Sequence, residues 1–192
     1  MAPKPPVFAV DDTEYTDEWQ KEVYEAAKHI MDENRLSSVY DIGCGSGYKL
    51  LKFMGNFDTT GIDLPETISV VRKRYPDRKW IDTPFDQAAL TKADLVICAD
   101  VIEHVSDPDA LMRFIVRRAA KWIVMSTPDR DLVYPYKWVN KHYYGPPGNP
   151  AHVREWTMRE FHSYVQKFVK IDRHEITNLG QGTQMVVARV TQ

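Results

Sequence analysis

The sequence predicts an α/β protein with a doubly wound sheet of seven strands, mostly parallel, ending in a C-terminal antiparallel hairpin. Strand-like and helix-like segments alternate from about residue 38 to residue 126, the pattern of a parallel sheet covered by helices on both faces. Within that region, 93–99 (ADLVICA) is a continuous apolar run, as expected of a central buried strand. Two further strand-like runs, 168–176 and 183–190, flank the turn-rich sequence NLGQG and predict the hairpin.

An arm and a helix precede the sheet. Residues 1–14 are rich in proline and then acidic, and they predict no regular element. Thr16 is a suitable helix cap, and apolar residues recur at helical spacing from Trp19 to Met31. We therefore expect a helix that begins after Thr16 and ends near residue 34.

The first strand, 38–42, runs into a loop with three glycines at alternate positions, Gly43, Gly45 and Gly47. Glycine tolerates positive φ and lets a ligand approach the main chain closely. Ligands of doubly wound sheets bind beyond the carboxyl ends of the strands. The loop is therefore the first candidate binding site, and a helix to about residue 54 should follow it.

The next two predicted strands each lead into an aspartate. Strands 58–62 and 79–81, separated by a helix that begins at Pro65, are followed by Asp63 and Asp82. A carboxylate at the first position can accept hydrogen bonds from both ribose hydroxyls, and one at the second can reach an adenine amino group. With the glycine loop, these carboxylates predict a cofactor that contains adenosine.

The second half of the chain begins with the strand 93–99 and a helix capped by Asp107. A strand at 122–126 follows, and Thr157 with Glu160 forms a capping box for a later helix. The segment between them, 127–156, is too long for an ordinary connection. We interpret it as a substrate-binding insertion in a single domain over 1–192.

Composition excludes several classes of protein. The 192 residues carry a formal net charge of −2, which argues against a nucleic-acid partner. No apolar run is long enough to cross a bilayer, and the N-terminus lacks the apolar core of a signal peptide. The two cysteines, Cys44 and Cys98, lack metal-type spacing and are expected at buried strand ends, so we predict a cytoplasmic protein.

Four stretches resemble class I S-adenosylmethionine-dependent methyltransferases. Residues 41–47 (DIGCGSG) are similar to the first motif of that family, 61–63 (GID) to its acidic ribose position, and Asp82 to its adenine position. Residues 93–105 (ADLVICADVIEHV) resemble the fourth-strand motif of its small-molecule branch, which includes ubiquinone-biosynthesis and glycan-associated methyltransferases. The resemblance implies a Rossmann-like fold, methyltransferase activity and S-adenosyl-L-methionine as cofactor.

The resemblance also implies which residues hold the cofactor. The backbone of Gly43, Cys44 and Gly45 would contact its methionine and ribose portions, and Asp63 would bind the ribose hydroxyls. Asp41 would orient the loop by bonding backbone amides. The remaining predicted cofactor residues are Tyr15, Leu64, Asp82, Thr83, Asp100 and Val101.

Two other functions are open to a chain of this type. A nicotinamide-dependent oxidoreductase would carry the fingerprint G-x-G-x-x-G, whereas the glycines here are spaced G-x-G-x-G. A non-catalytic cofactor-binding module is the alternative from a different class. The intact Asp63 and Asp82 argue against such a module.

Methyl transfer to a hydroxyl requires a group that takes up its proton. The candidate catalytic bases are His104, His142 and His152. Asp100, Glu103 and His104 also resemble the metal-binding acidic–x–x–Glu–His arrangement of ubiquinone-biosynthesis O-methyltransferases, which makes Mg²⁺ or another divalent cation a second interpretation. A third is structural, with the His104 imidazole hydrogen-bonded to a backbone carbonyl.

The insertion predicts the acceptor. Its aromatic faces suit the C–H surfaces of a sugar, and its charged side chains suit hydroxyl groups. We therefore expect O-methylation of a sugar or glycan hydroxyl; the alternative is O- or N-methylation of a small natural product or quinone-like phenol. A homodimer contact is another use for the aromatics. The predicted acceptor-binding residues are Asp129, Arg130, Tyr134, Trp138, Tyr143, Tyr144 and Arg154.

Overall fold

Seven strands form one mixed sheet in the computed structural model, which describes residues 13–14, 16, 18–82, 90–133 and 145–190. The predicted fold class is confirmed. The strands are β1 (Ser38–Ile42), β2 (Asp58–Ile62), β3 (Lys79–Ile81), β4 (Ala93–Ala99), β5 (Ala119–Pro128), β6 (Lys170–Asn178) and β7 (Thr183–Arg189). The helices are α1 (Lys21–Glu33), α2 (Tyr48–Met54), α3 (Pro65–Arg74), α4 (Pro108–Arg118) and α5 (Met158–Val165), with a 3₁₀ turn at Ile102–His104.

The strand order is β3-β2-β1-β4-β5-β7-β6, with β7 antiparallel to both of its neighbours. Strand β1 pairs in parallel with β2 on one side and with β4 on the other. The chain therefore winds away in both directions from the gap between β1 and β4. In open α/β sheets, ligands bind at the carboxyl edge beside such a switch point.

Alternating side chains of the strands build two apolar layers. In β4, Leu95 and Ile97 face the layer formed with α1, α2 and α3, whereas Val96 and Cys98 face the layer formed with α4 and α5. All four are fully buried. Burial on both faces explains the uninterrupted apolar sequence of this strand.

The start of α1 differs from the prediction. We expected Thr16 to cap a helix, but α1 begins at Lys21 and its N-cap is Gln20, which has a φ of 62°. The Gln20 amide donates a hydrogen bond to Oε1 of Gln181, in the turn of the terminal hairpin, at 3.1 Å. Since Gln181 lies 161 residues away in the chain, local sequence carries no signal for it.

The β6 strand begins two residues later than predicted. Phe168 and Val169 both donate their amide hydrogens to the carbonyl of Val165, and so they complete the last turn of α5. The helix itself begins as predicted, at a capping box formed by Thr157 and Glu160.

Among the described residues, no helix has both the length and the apolar character needed to cross a membrane.

Removing the capping box should destabilise the protein measurably. Thr157 Oγ1 accepts from the Glu160 amide at 3.3 Å, and the Glu160 carboxylate accepts from the Thr157 amide at 2.9 Å. Thr157→Ala should lower the free energy of unfolding in urea by about 1 kcal/mol. Ser163→Ala, on the exposed side of the same helix, is the control and should change it by less than about 0.5 kcal/mol. Equal unfolding midpoints for Thr157→Ala and wild type would contradict the assignment.

Candidate functional site

The glycine loop has the backbone conformation that its sequence predicts. Gly43, Gly45 and Gly47 have φ values of 74°, 50° and 70°, in the region that glycine adopts at little cost. The Gly43 amide donates to the carbonyl of Ile62 at 2.8 Å. The loop is thereby tied to the end of β2, where the predicted ribose carboxylate follows.

Two contacts leave no space for larger side chains in the loop. A Cβ atom on Gly43 would lie 2.3 Å from Cγ2 of Val101, and one on Gly47 would lie 2.6 Å from the indole of Trp80. The Trp80 ring also lies against Gly61. Sequence analysis missed Trp80, which is an isolated tryptophan in a strand of three residues.

Asp63 lies beside the loop at the end of β2. Its carboxylate accepts hydrogen bonds from the amides of Gly45, at 2.8 Å, and Leu64, at 2.7 Å. Burial raises the pKa of Asp63, and the two amides oppose that shift. The Leu64 side chain is 37% exposed at the same edge. Asp82 follows β3, and its half-exposed carboxylate lies 3.4 Å from the guanidinium of Arg72.

Asp41 is buried beneath the loop. Its Oδ2 accepts a hydrogen bond from the hydroxyl of Tyr24 at 2.9 Å. Burial, reinforced by the Asp41 charge, raises the pKa of Tyr24 well above its usual value. We expected Asp41 to bond backbone amides, and the phenol from α1 is a partner that we had not predicted. The available signal was a tyrosine on the apolar face of a predicted helix.

Asp100 joins three parts of the chain. It has a φ of 52°, and its carboxylate accepts from Oγ of Ser126 at 2.5 Å and from Nε2 of Gln20 at 2.8 Å. Non-glycine residues with positive φ are uncommon and concentrate at functional sites. The hydrogen bonds from Ser126 and Gln20 connect the end of β4 to β5 and to the residue that precedes α1.

Glu103 is buried in the 3₁₀ turn that follows Asp100. Its Oε2 accepts from the hydroxyl of Thr127 at 3.0 Å, and its Oε1 has no hydrogen-bond partner among the described residues. Burial raises the pKa of Glu103 well above its usual value, and the nearby charge of Asp100 adds to the shift. The side chain is only 1% exposed.

The insertion folds back onto this turn. The Val153 amide donates to the carbonyl of Glu103 at 2.7 Å, and Nδ1 of His104 lies 3.0 Å from the carbonyl oxygen of Ala151. This second contact is the structural role that we considered for His104. A carbonyl can only accept, so the proton is on Nδ1 and Nε2 carries the lone pair. Burial lowers the pKa of His104, which favours the neutral ring.

The same contacts place His152 against His104, with ring centroids 4.9 Å apart. Nδ1 of His152 lies 2.6 Å from Oε1 of Glu155, a residue whose role sequence analysis missed. Nε2 of His152 lies 3.0 Å from the side-chain Nδ2 of Asn149. One ligand atom each from Glu103, His104 and His152 lies within 4.8 Å of the others. This group contains His152 and not Asp100, the third residue of the metal interpretation, which stays a prediction.

The acceptor residues that the structure describes contact other parts of the protein. Asp129 is 4% exposed and accepts from the amide of Asp131 at 2.8 Å. Arg130 pairs with Glu160 at 3.1 Å, and Arg154 donates to the carbonyl of Ser106 at 3.1 Å. That these three residues bind the methyl acceptor stays a prediction. The predicted site residues outside the described part of the chain are Tyr15, Thr83, Tyr134, Trp138, His142, Tyr143 and Tyr144.

Comparison with known proteins adds a family. Residues 13–183 match a family model described as a methyltransferase domain. A ubiquinone biosynthesis O-methyltransferase of Bordetella avium (strain 197N) is 30% identical over an aligned stretch of 105 residues, and the match covers 48% of this chain and 43% of the relative. The match therefore spans less than half of the relative's length.

Solved structures show the same fold. An S-adenosylmethionine-dependent methyltransferase from Clostridium acetobutylicum ATCC 824 superposes with a TM-score of 0.72 at 10% identity, covering 92% of this chain and 93% of that one. A magnesium protoporphyrin IX methyltransferase from Synechocystis PCC 6803 with bound SAH has a TM-score of 0.69 at 14% identity, covering 90% and 84%. At these identities the likeness concerns the fold alone.

The contact between Gly43 and Val101 can be tested by substitution. Gly43→Ala should destabilise the protein by at least about 1 kcal/mol, because the new methyl group overlaps Val101 at a backbone angle that alanine rarely adopts. In Gly43→Ala/Val101→Ala the overlap is gone and only the backbone cost is left. The double variant should therefore lose less free energy of unfolding than the sum of the two single variants. Additive losses in urea unfolding would show that the two residues do not couple.

Proposed function

Because the chain belongs to the class I S-adenosylmethionine-dependent methyltransferases, with a methyltransferase domain over residues 13–183, we propose that it methylates a hydroxyl oxygen of a sugar or glycan. The observation that carries the proposal is the pairing of His104 with His152 just beyond the end of β4. A hydroxyl is a poor nucleophile until its proton leaves, and this pair supplies imidazole nitrogens for that step.

We assign cofactor-binding roles to residues at the carboxyl edge of the sheet. We propose that the amides of Gly43 and Cys44 lie against the methionine and ribose parts of the cofactor, and that Asp63 accepts from the ribose hydroxyls. In this structure Asp63 accepts from Gly45 and Leu64, so a ribose would compete for or share these oxygens. When bound, S-adenosylmethionine supplies an electrophilic methyl group attached to a positively charged sulfur.

Proton removal falls to the group formed by Glu103, His104 and His152. When the acceptor oxygen takes up the methyl group, the carbon–sulfur bond of the cofactor would break and leave its electron pair on the sulfur. The hydroxyl proton would pass to this group, and the electron pair of the O–H bond would stay on the oxygen. The neutral His104 favoured by burial is the form that can take up a proton or bind a cation. The carboxyl group of the buried Glu103 lies beside this ring, with its Oε1 3.9 Å from Nε2 of His104.

The nature of the acceptor rests on the insertion. Its described part holds His152, Arg154 and Glu155, polar groups that suit an acceptor with many hydroxyls. A sugar hydroxyl is also a weaker acid than a phenol, so it depends more on a protein group to take its proton. A quinone-like phenol is the second candidate, favoured by the partial match to a ubiquinone biosynthesis O-methyltransferase.

Three further predictions accompany this function as proposals. The buried side chains of Cys44 and Cys98 support a cytoplasmic location. A net charge of −2 supports a small-molecule or saccharide acceptor over nucleic acid. A homodimer contact through the aromatic insertion is the third proposal.

S-adenosylhomocysteine should bind and stabilise the protein through Asp63. At about 100 times its Kd, the ligand should raise the free energy of unfolding by about 2.7 kcal/mol. Asp63→Ala should weaken binding at least about tenfold in calorimetry, because hydrogen bonds to a charged group contribute about 1.5–3 kcal/mol. Asp58→Ala, at the opposite end of β2, is the matched control and should bind like wild type. Equal affinity in Asp63→Ala and Asp58→Ala would contradict the ribose role.

A screen of sugars and phenols with methyl-labelled S-adenosylmethionine should identify the acceptor class. We expect transfer to a sugar hydroxyl, with His104→Ala and His152→Ala each lowering kcat by at least about 100-fold. The affinity for S-adenosylhomocysteine should change little in either variant. Transfer to phenols alone would favour the second candidate. Cofactor binding without transfer to any acceptor of either class would favour a non-catalytic module.

A further inference from the structure

Glu103, His104 and His152 are arranged like the protein ligands of a metal ion. We propose that these three residues bind a divalent transition-metal ion such as Zn²⁺ or Mn²⁺. The resemblance to ubiquinone-biosynthesis enzymes implies a different set, Asp100, Glu103 and His104, for a hard cation such as Mg²⁺. The set that we propose differs from it in the third ligand, which is His152 of the insertion in place of Asp100. An imidazole nitrogen therefore replaces a carboxylate oxygen as the third donor atom.

Asp100 fits the implied site less well than His152 does, because only His152 belongs to the closely spaced group with Glu103 and His104. Its two carboxylate oxygens accept short hydrogen bonds from Ser126 and Gln20, and the left-handed backbone of Asp100 is held by a further bond from its own amide to the Ser126 carbonyl. Each oxygen of Asp100 therefore already has a hydrogen-bond donor, whereas Oε1 of Glu103 has none among the described residues. Asp100 is therefore assigned to connecting β4 with β5 and with the start of α1.

Glu103 offers an oxygen that the protein leaves unused. The carboxylate is buried, one oxygen is held by Thr127, and the other lies 3.9 Å from Nε2 of His104 with no hydrogen-bond partner among the described residues. An unsatisfied buried acceptor costs about 1–3 kcal/mol, and more if it is charged. A cation beside Oε1 would remove that cost and balance the negative charge.

The hydrogen bonds behind both imidazoles are those of metal-bound histidines. Such rings usually donate their second N–H to a carbonyl or a carboxylate, which sets the tautomer and orients the ring. Here Nδ1 of His104 faces the carbonyl of Ala151, and Nδ1 of His152 faces the carboxylate of Glu155 at 2.6 Å. Nε2 of each ring is then the nitrogen with a lone pair.

The donor set selects the class of metal. Two imidazole nitrogens and one carboxylate oxygen suit Zn²⁺, Mn²⁺ or Fe²⁺, whereas Mg²⁺ prefers oxygen ligands. The three ligand atoms lie within 4.8 Å of one another, and around a tetrahedral ion they would be roughly 3.4 Å apart. Binding therefore requires the insertion to move His152 inward by about 1 Å. The side-chain Nδ2 of Asn149, which lies 3.0 Å from Nε2 of His152, would also have to move.

An ion at this place would also serve the proposed reaction. A metal-bound hydroxyl loses its proton more readily than a free one, so the ion would activate the acceptor oxygen. Its proton would then pass to solvent, because the Nε2 lone pairs of both histidines would be engaged by the ion. That role rests on the proposed function. Occupancy of the site does not, since metal binding can be measured without cofactor or acceptor.

Calorimetric titration of the untagged full chain with ZnCl₂, MnCl₂ or MgCl₂ tests the site. We expect one equivalent of Zn²⁺ to bind at least about 100-fold more tightly than Mg²⁺. His152→Ala and Glu103→Gln should each weaken Zn²⁺ binding at least about tenfold, and Asp100→Asn should change it less than about threefold.

His29→Ala removes a histidine on the exposed side of α1 and is the matched control, with unchanged Zn²⁺ binding expected. Circular dichroism and S-adenosylhomocysteine binding establish that each variant is folded. The absence of saturable Zn²⁺ binding in wild type would overturn the proposal. Loss of binding in Asp100→Asn but not in His152→Ala, with Mg²⁺ preferred, would overturn it in favour of the set implied by the resemblance.

Discussion

Gly43 and Val101 approach so closely that no side chain fits between them, and the rest of the site depends on this contact. It joins the loop after β1 to the segment after β4, the two strands that flank the switch point of the sheet. From Val101 the chain turns at once into the 3₁₀ helix that carries Glu103 and His104. The glycine loop and the proposed proton-accepting group therefore lie on adjacent strand ends, and a shift in one would displace the other.

Buried acids give this edge its chemistry. Asp41, Asp100 and Glu103 lie at or just beyond the ends of β1 and β4, and each accepts a hydrogen bond from a hydroxyl group. Such bonds offset part of the cost of removing a carboxylate from water. The second oxygen of Glu103 has no hydrogen-bond partner among the described residues. That oxygen faces the histidine pair, which makes this point of the edge the most suited to a proton or a cation.

Sequence reasoning succeeded where the determinants are local. The α5 capping box, the Asp107 cap and the glycine φ values depend on neighbouring residues, and all were predicted. It missed Gln20, Tyr24 and Trp80, because their roles arise from partners on other elements. Gln20, for example, bonds Asp100 and Gln181, which are 80 and 161 residues away. No periodicity or motif records such pairings.

The sequence by itself determined the family, the alternation of strands and helices along the chain, and the edge of the sheet where cofactor binding is predicted, because apolar patterning and loop glycines act over a few residues. Tertiary structure decided which groups meet at that edge. Hydrogen bonds between the insertion and the residues Glu103 and His104 bring His152 into the group. Asp100 is held elsewhere by hydrogen bonds from Ser126 and Gln20. Whether two distant side chains converge depends on how the chain packs back on itself, and spacing along the sequence does not specify that.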